Sequence, residues 1–87
     1  MKIKLFGGLR QKVGRAELQG SGTTVQELLE YICADNETLC TAIFDDSELR
    51  QHVRVMVNGL DCELERGLET PVSANDQIAI FPPIAGG

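Results

Sequence analysis

The chain has 87 residues, 43 % of them hydrophobic and 24 % charged, with a formal net charge of -5 and a pI of about 4.7. That composition is globular, and a single domain of this size buries roughly 60–65 % of its unfolded surface, too little for a deep, self-contained active site. Eight scattered Lys and Arg against thirteen Asp and Glu exclude the clustered cationic surface that nucleic acid requires, and point to partners with basic surfaces instead.

In chain order, "MKIKLFGG" alternates: Ile3 and Leu5 share one face, and Lys2, Lys4 and Phe6 the other. This predicts a half-buried strand closed by glycines. "LRQKVGRAELQG" reads as a turn near Gly14 and a weak second strand, so a hairpin is expected. "TTVQELLEYICADN" is the clearest helix. Thr24 and Glu27 have capping-box spacing, and Val25, Leu28, Leu29, Ile32 and Cys33 form an apolar stripe that must pack on a sheet. Cys33 falls in that stripe and reads as a small core residue. "ETLCTAIFDDSELRQ" fits either a short helix or a packed loop, with the polar "DDSELRQ" a surface excursion.

"HVRVMVNG" returns to alternation, with Val53, Val55 and Val57 opposite His52, Arg54 and Met56. Asn58-Gly59 is a strong hairpin-turn signal. "LDCELERGLETPV" suggests short strands and turns, limited by Pro71. "SANDQIAIFPP" gives a turn at Asn75-Asp76 and a last strand with Ile78 and Ile80 facing the core, ended by Pro82. The first and last strands alternate most cleanly and are expected inside the sheet. The element order is that of an α+β domain: a mixed sheet of four to five strands with one main helix on one face. We divide it into a domain at 1–81 and an extended tail at 82–87.

Cys33, Cys40 and Cys62 are odd in number and widely spaced, which is no disulfide framework. With His52 the only histidine, no zinc pattern forms, and no metal site is expected. Reduced thiols of a cytoplasmic protein are the plainer reading. No signal peptide and no apolar run long enough to span a bilayer is visible, so no membrane role is expected.

The remaining feature is "FPPIAGG". Pro82 and Pro83 favour an extended chain, Gly86-Gly87 fit a channel only as wide as the backbone, and residues 82–87 reach roughly 20 Å when extended. Ile84 is a candidate anchor ahead of that channel. Strand parity also puts Lys4, Phe6, Arg54, Met56 and Phe81 on the sheet face away from the helix, a docking patch beside the tail.

On "MKIKLFGGLR", "VRVMVNG" and "GLETPVSANDQIAIFPPIAGG", the chain resembles the MoaD/ThiS family of ubiquitin-like sulfur carriers, which includes the small subunit of molybdopterin synthase. The resemblance runs the whole length in element order. It implies a β-grasp fold and a partner enzyme of the ubiquitin-activating type that uses ATP and magnesium to join the carboxylate of Gly87 to AMP. A sulfur donor then leaves a thiocarboxylate on Gly87. The protein itself needs no bound cofactor and no catalytic acid, base or metal. Phe6, Arg54, Met56, Phe81, Pro82, Pro83, Ile84, Ala85 and Gly86 would meet the partners. The tail points first to a sulfur-accepting enzyme such as the molybdopterin synthase large subunit. The alternatives are carriers for cysteine, thiamine or tRNA thiolation, a modifier joined through Gly87 to lysine, and a plain interaction domain.

Overall fold

Lys2–Leu5 form strand β1, with Ile3 and Leu5 buried and Lys2 and Lys4 exposed, as the alternation requires. The structure is a computed structural model and describes residues 1–51 and 53–82. The stretch after β1 departs from the expected turn: Gly7–Val13 form a helix, α1. Its apolar stripe is Leu9 and Val13, one turn apart, with Leu9 buried. Gly14 closes it in the left-handed region at φ 80°, its N–H donating to Arg10 O at 2.9 Å. Two leading glycines, each costing about 1 kcal/mol relative to alanine, hide so short a helix from propensity. Packing against a later helix, α3 (Glu37–Ile43), is what sustains it.

Strand β2 (Glu17–Gln19) then pairs antiparallel with β1, Ile3 opposite Leu18. The expected hairpin pairing forms, with a helix inside its connection. Helix α2 (Val25–Cys33) starts where the cap signal places it, with Glu27 N–H donating to Thr24 Oγ1 at 3.2 Å. The reciprocal arm lands one residue earlier than expected. Glu27 Oε1 accepts from the Thr23 hydroxyl at 2.7 Å and from Thr23 N–H at 2.8 Å, and these two bonds, the hydroxyl first, hold the exposed carboxyl below its ordinary value. Val25, Leu28, Leu29 and Ile32 are buried, whereas Cys33, at the end of the stripe, is only half-buried.

In α3, Asn36 Oδ1 accepts from Leu39 N–H at 3.0 Å at the N-cap, and Leu39 and Ile43 are buried. The ambiguous stretch is thus a helix. The polar segment after it is more ordered than a loop: β3 (Phe44–Asp45) and β4 (Glu48–Leu49) pair around Asp46-Ser47, whose φ values of 49° and 70° suit a tight hairpin turn. Strands β5 (Arg54–Val57) and β6 (Leu60–Asp61) pair around Asn58-Gly59, at φ 53° and 82°, as its sequence predicts. Cys62–Leu64 and Gly67–Glu69 are 3-10 turns.

The last strand, β7 (Gln77–Phe81), runs parallel to β1 and antiparallel to β5, and the sheet order is β2-β1-β7-β5-β6. Both expected interior strands are interior. Ile78 and Ile80 join Ile3, Leu5 and Val55 in one core with Leu9, Leu28, Leu29, Leu39 and Ile43. All three helices therefore contribute to the covered side, where the sequence predicted one main helix. Among the described residues the other side of the sheet is uncovered: Lys2, Lys4, Arg54 and Gln77 are exposed, and Met56, Ala79 and Phe81 are half-buried.

Candidate functional site

The open face is organised by register. Lys4 sits opposite Ala79, Ala79 opposite Met56, and Met56 opposite Asp61, in one row across four strands. In the next row Arg54 sits opposite Phe81. Phe6 continues that row: its N–H donates to Ile80 O at 3.2 Å, one step beyond the Leu5–Ile80 pair. The rings of Phe6 and Phe81 stack with centroids 4.6 Å apart and planes 10° from parallel. Phe6 is 36 % exposed, Phe81 and Met56 are half-buried, and Lys4 and Arg54 are exposed. Phe6, Phe81, Arg54 and Met56, chosen by strand parity, thus share one surface.

Parity alone could not show that the two aromatic rings cover each other. Nor could it show that Arg54 Nη1 approaches Asp61 Oδ2 at 3.7 Å, with Asp61 the less exposed partner. An ion pair this open to solvent adds little stability, about 0–1 kcal/mol, but it directs the guanidinium toward β6. Asp61 was missed because its place beside Arg54 follows only from the two-residue hairpin turn. The signal was present in Asn58-Gly59, which fixes Met56 opposite Asp61.

The position of Phe81 is set at the far end of β7. Asn58 Oδ1 accepts from Gln77 N–H at 2.9 Å, and Asn58 Nδ2 donates to Asp76 Oδ1 at 2.9 Å. Asp76 Oδ2 also accepts from Ser73 N–H at 2.8 Å. The Asn58 amide first, then the Ser73 backbone, hold the Asp76 carboxyl below its ordinary value. Its shift has a structural cause, and it lies at the opposite end of β7 from the tail.

β7 ends at Phe81, and Pro82 comes next, outside the strand, as proline's missing donor predicts. Pro82 is half-buried and lines a cleft of about 990 Å³ with Leu9 and Lys12 of α1 and Thr38, Thr41 and Ala42 of α3. The base of the tail thus leaves the sheet between its aromatic row and the α1–α3 cleft. Pro83, Ile84, Ala85, Gly86 and Gly87, together with His52, lie outside the described residues.

A sequence model described as the ThiS family matches residues 3–87. A protein of Archaeoglobus fulgidus, provisionally named a sulfur carrier protein, is 30 % identical over 88 residues, covering 100 % of this chain and 98 % of the relative. The solution structure of small archaeal modifier protein 1 from Methanosarcina acetivorans superposes with a TM-score of 0.90 at 32 % identity, covering 99 % of this chain and 94 % of that one. A chain of the Amycolatopsis orientalis BexX/CysO complex superposes with a TM-score of 0.84 at 25 % identity, covering 99 % and 98 %. The sheet and helices described above are the ubiquitin-like β-grasp.

Proposed function

Because the chain belongs to the ThiS family of ubiquitin-like sulfur carriers, we propose that it carries sulfur as a thiocarboxylate on Gly87. The observation that carries this reading is that the family match extends through residue 87, across the whole "FPPIAGG" stretch. The open face supports it. An aromatic pair with Arg54, Lys4 and Met56 beside it adjoins the strand that leads into the tail.

In the proposed reaction an adenylating enzyme of the ubiquitin-activating type docks on this face. The Gly87 carboxylate attacks the α-phosphorus of ATP, with magnesium, and pyrophosphate leaves. A sulfur nucleophile then attacks the acyl carbon of the adenylate and AMP leaves. A carboxylate spreads its charge over two oxygens and is a poor electrophile, so the adenylate supplies the leaving group it lacks. The chain contributes reach and recognition. Phe81, Pro82, Pro83, Ile84, Ala85 and Gly86 bring the carboxylate to the partner's site, in the manner of extended backbone gripped by hydrogen bonds. The Amycolatopsis structure, in which a chain of this fold is part of a two-protein complex, supports a protein partner.

For the acceptor we propose the molybdopterin synthase large subunit, on the resemblance of the tail, in a cytoplasmic setting. A second reading is favoured by the likeness to small archaeal modifier protein 1: a lysine amine attacks the acyl carbon of the Gly87 adenylate, AMP and a proton leave, and an isopeptide bond forms. Both readings share the first step. The test is incubation with the adenylating enzyme, ATP, magnesium and a sulfur source, and then mass spectrometry of the C-terminal peptide. Replacement of one oxygen of Gly87 by sulfur is expected, and an unchanged peptide beside a converted control carrier overturns the carrier reading. Reductant-resistant conjugates of higher mass select the modifier reading.

A further inference from the structure

A second cleft, of about 340 Å³, opens between α2 and α3 at the side of the helical layer. Cys33 and Cys40 both line it, with Glu30, Phe44 and Ser47 around them. Cys33 is the last residue of α2 and Cys40 lies in the middle of α3. The corner between them is pinned by backbone: Asn36 N–H donates to Cys33 O at 3.2 Å, and Cys40 N–H donates to Asn36 O at 2.9 Å. Both thiols are half-buried, so each is reachable from the cleft. Burial first, and then the neighbouring Cys40 thiol, push the Cys33 thiol up to about 12. Cys62 is different. It is 1 % exposed in the core, and burial, then Asp61 and Glu63, push its thiol up to about 11. Among the described residues no three His, Cys, Asp or Glu side chains come together as metal ligands. The pair therefore stands as a dithiol, and the chemistry open to a dithiol is two-electron oxidation.

We propose that Cys33 and Cys40 are a redox modification site, at which a low-molecular-weight disulfide oxidises the pair to an intramolecular disulfide joining α2 to α3. One protein thiolate attacks a sulfur of the reagent and displaces one reagent thiolate, leaving a mixed disulfide. The second protein thiolate attacks the protein-bound sulfur of that bond and displaces the other reagent thiolate. Two electrons pass from the protein sulfurs to the reagent, and the two thiol protons leave on two reagent thiols. The raised Cys33 thiol makes its thiolate scarce at neutral pH, which slows the exchange there. The bond has a structural consequence. Thr38, Thr41 and Ala42, on another side of α3, line the cleft that Pro82 enters. The staple thus fixes the element against which the base of the tail lies.

The experiment uses the full chain, oxidised glutathione in mildly alkaline buffer, and alkylation of the remaining thiols before mass analysis. The expected product has lost the mass of two hydrogens. It yields one cross-linked peptide pair containing Cys33 and Cys40, and carries the alkyl label on Cys62 alone. Its Tm rises by roughly 5–10 °C and returns to the starting value with dithiothreitol. Cys33→Ser and Cys40→Ser are each expected to stop at a mixed disulfide and to keep the reduced Tm. Glutathione retained on the wild-type chain without a cross-link, a cross-link to Cys62, or a bond between two chains overturns the proposal.

Discussion

Replacing Phe6 and Phe81 by alanine, singly and together, isolates the contact on which the docking face is built. The rings stack at 4.6 Å and 10° on the open side of the sheet, with Phe6 36 % exposed. Each truncation should therefore cost less than the roughly 3–5 kcal/mol of a buried phenylalanine, about 1–2 kcal/mol. A stacked aromatic pair contributes about 0.5–1.5 kcal/mol beyond its buried area, so the double variant should fall short of the sum of the singles by that amount. In a domain of this size 1 kcal/mol moves Tm by about 4–8 °C, which makes the coupling measurable by thermal melts. Additivity within about 0.3 kcal/mol would refute the stack. The same face is the proposed partner contact, so Phe81→Asp, measured by calorimetric titration with the adenylating enzyme, should weaken binding while the chain stays folded. Unchanged affinity in a folded variant removes Phe81 from the interface.

Leu29 is 0 % exposed on the covered side, and Leu29→Ala should cost roughly 2–5 kcal/mol in urea unfolding. That is a large part of the approximately 4–13 kcal/mol that a chain of this length commands. At Gly20 a Cβ would collide with the side chains of Ile3 and Leu28, both in the core, so Gly20→Ala should lose about 1–3 kcal/mol by the same assay. Both Glu27 and Asp76 have folded values below their ordinary 4.5 and 3.8. Their contribution to stability is present above those ordinary values and is lost as pH falls through the lower folded ones. Tm should hold steady from neutral pH down to the ordinary values and then decline, and Asp76→Asn should make the decline shallower. An identical acid limb in the variant would show that Asp76 carries no such linkage.

Much of the fold was legible because its signals are local. β1, β5 and β7 alternate with period two, and Thr24 with Glu27 marks the start of α2 whatever lies around it. The pair Asn58-Gly59 names its own turn, and parity then placed Phe6, Arg54, Met56 and Phe81 on one face. The elements that were not legible depend on tertiary packing. α1 has seven residues, two of them glycines, and is sustained by α3, which is distant in sequence. The β3–β4 hairpin needs positive φ at Asp46 and Ser47, residues that tolerate it without requiring it. Cys33 obeys the stripe of α2, yet it stands where the helix ends, so one side of it opens to the cleft shared with Cys40. Glu27 kept its capping role but moved its second bond to Thr23, a choice between adjacent donors that spacing cannot resolve.

The point at which Pro82 leaves the sheet is set by the same constraints that build the core. Ile78 and Ile80 must face the helices, and strand geometry then forces Ala79 and Phe81 onto the open side. A slip of one residue along β7 would expose both isoleucines and bury Phe81, so the core itself resists any change in where the tail begins. The parallel pairing with β1 sets the direction and places Phe6 within stacking distance of Phe81. Asn58 and Asp76 fix the other end, because they tie the β5–β6 turn to the first residue of β7. Every residue that determines where Pro82 leaves the sheet is therefore held by buried isoleucines, ladder hydrogen bonds or this two-residue clasp. In transfer chemistry even an error of about 1 Å at the reacting atoms can cost on the order of 10²-fold in rate. In the proposed transfer of sulfur on Gly87, that demand falls on the register of the central strand.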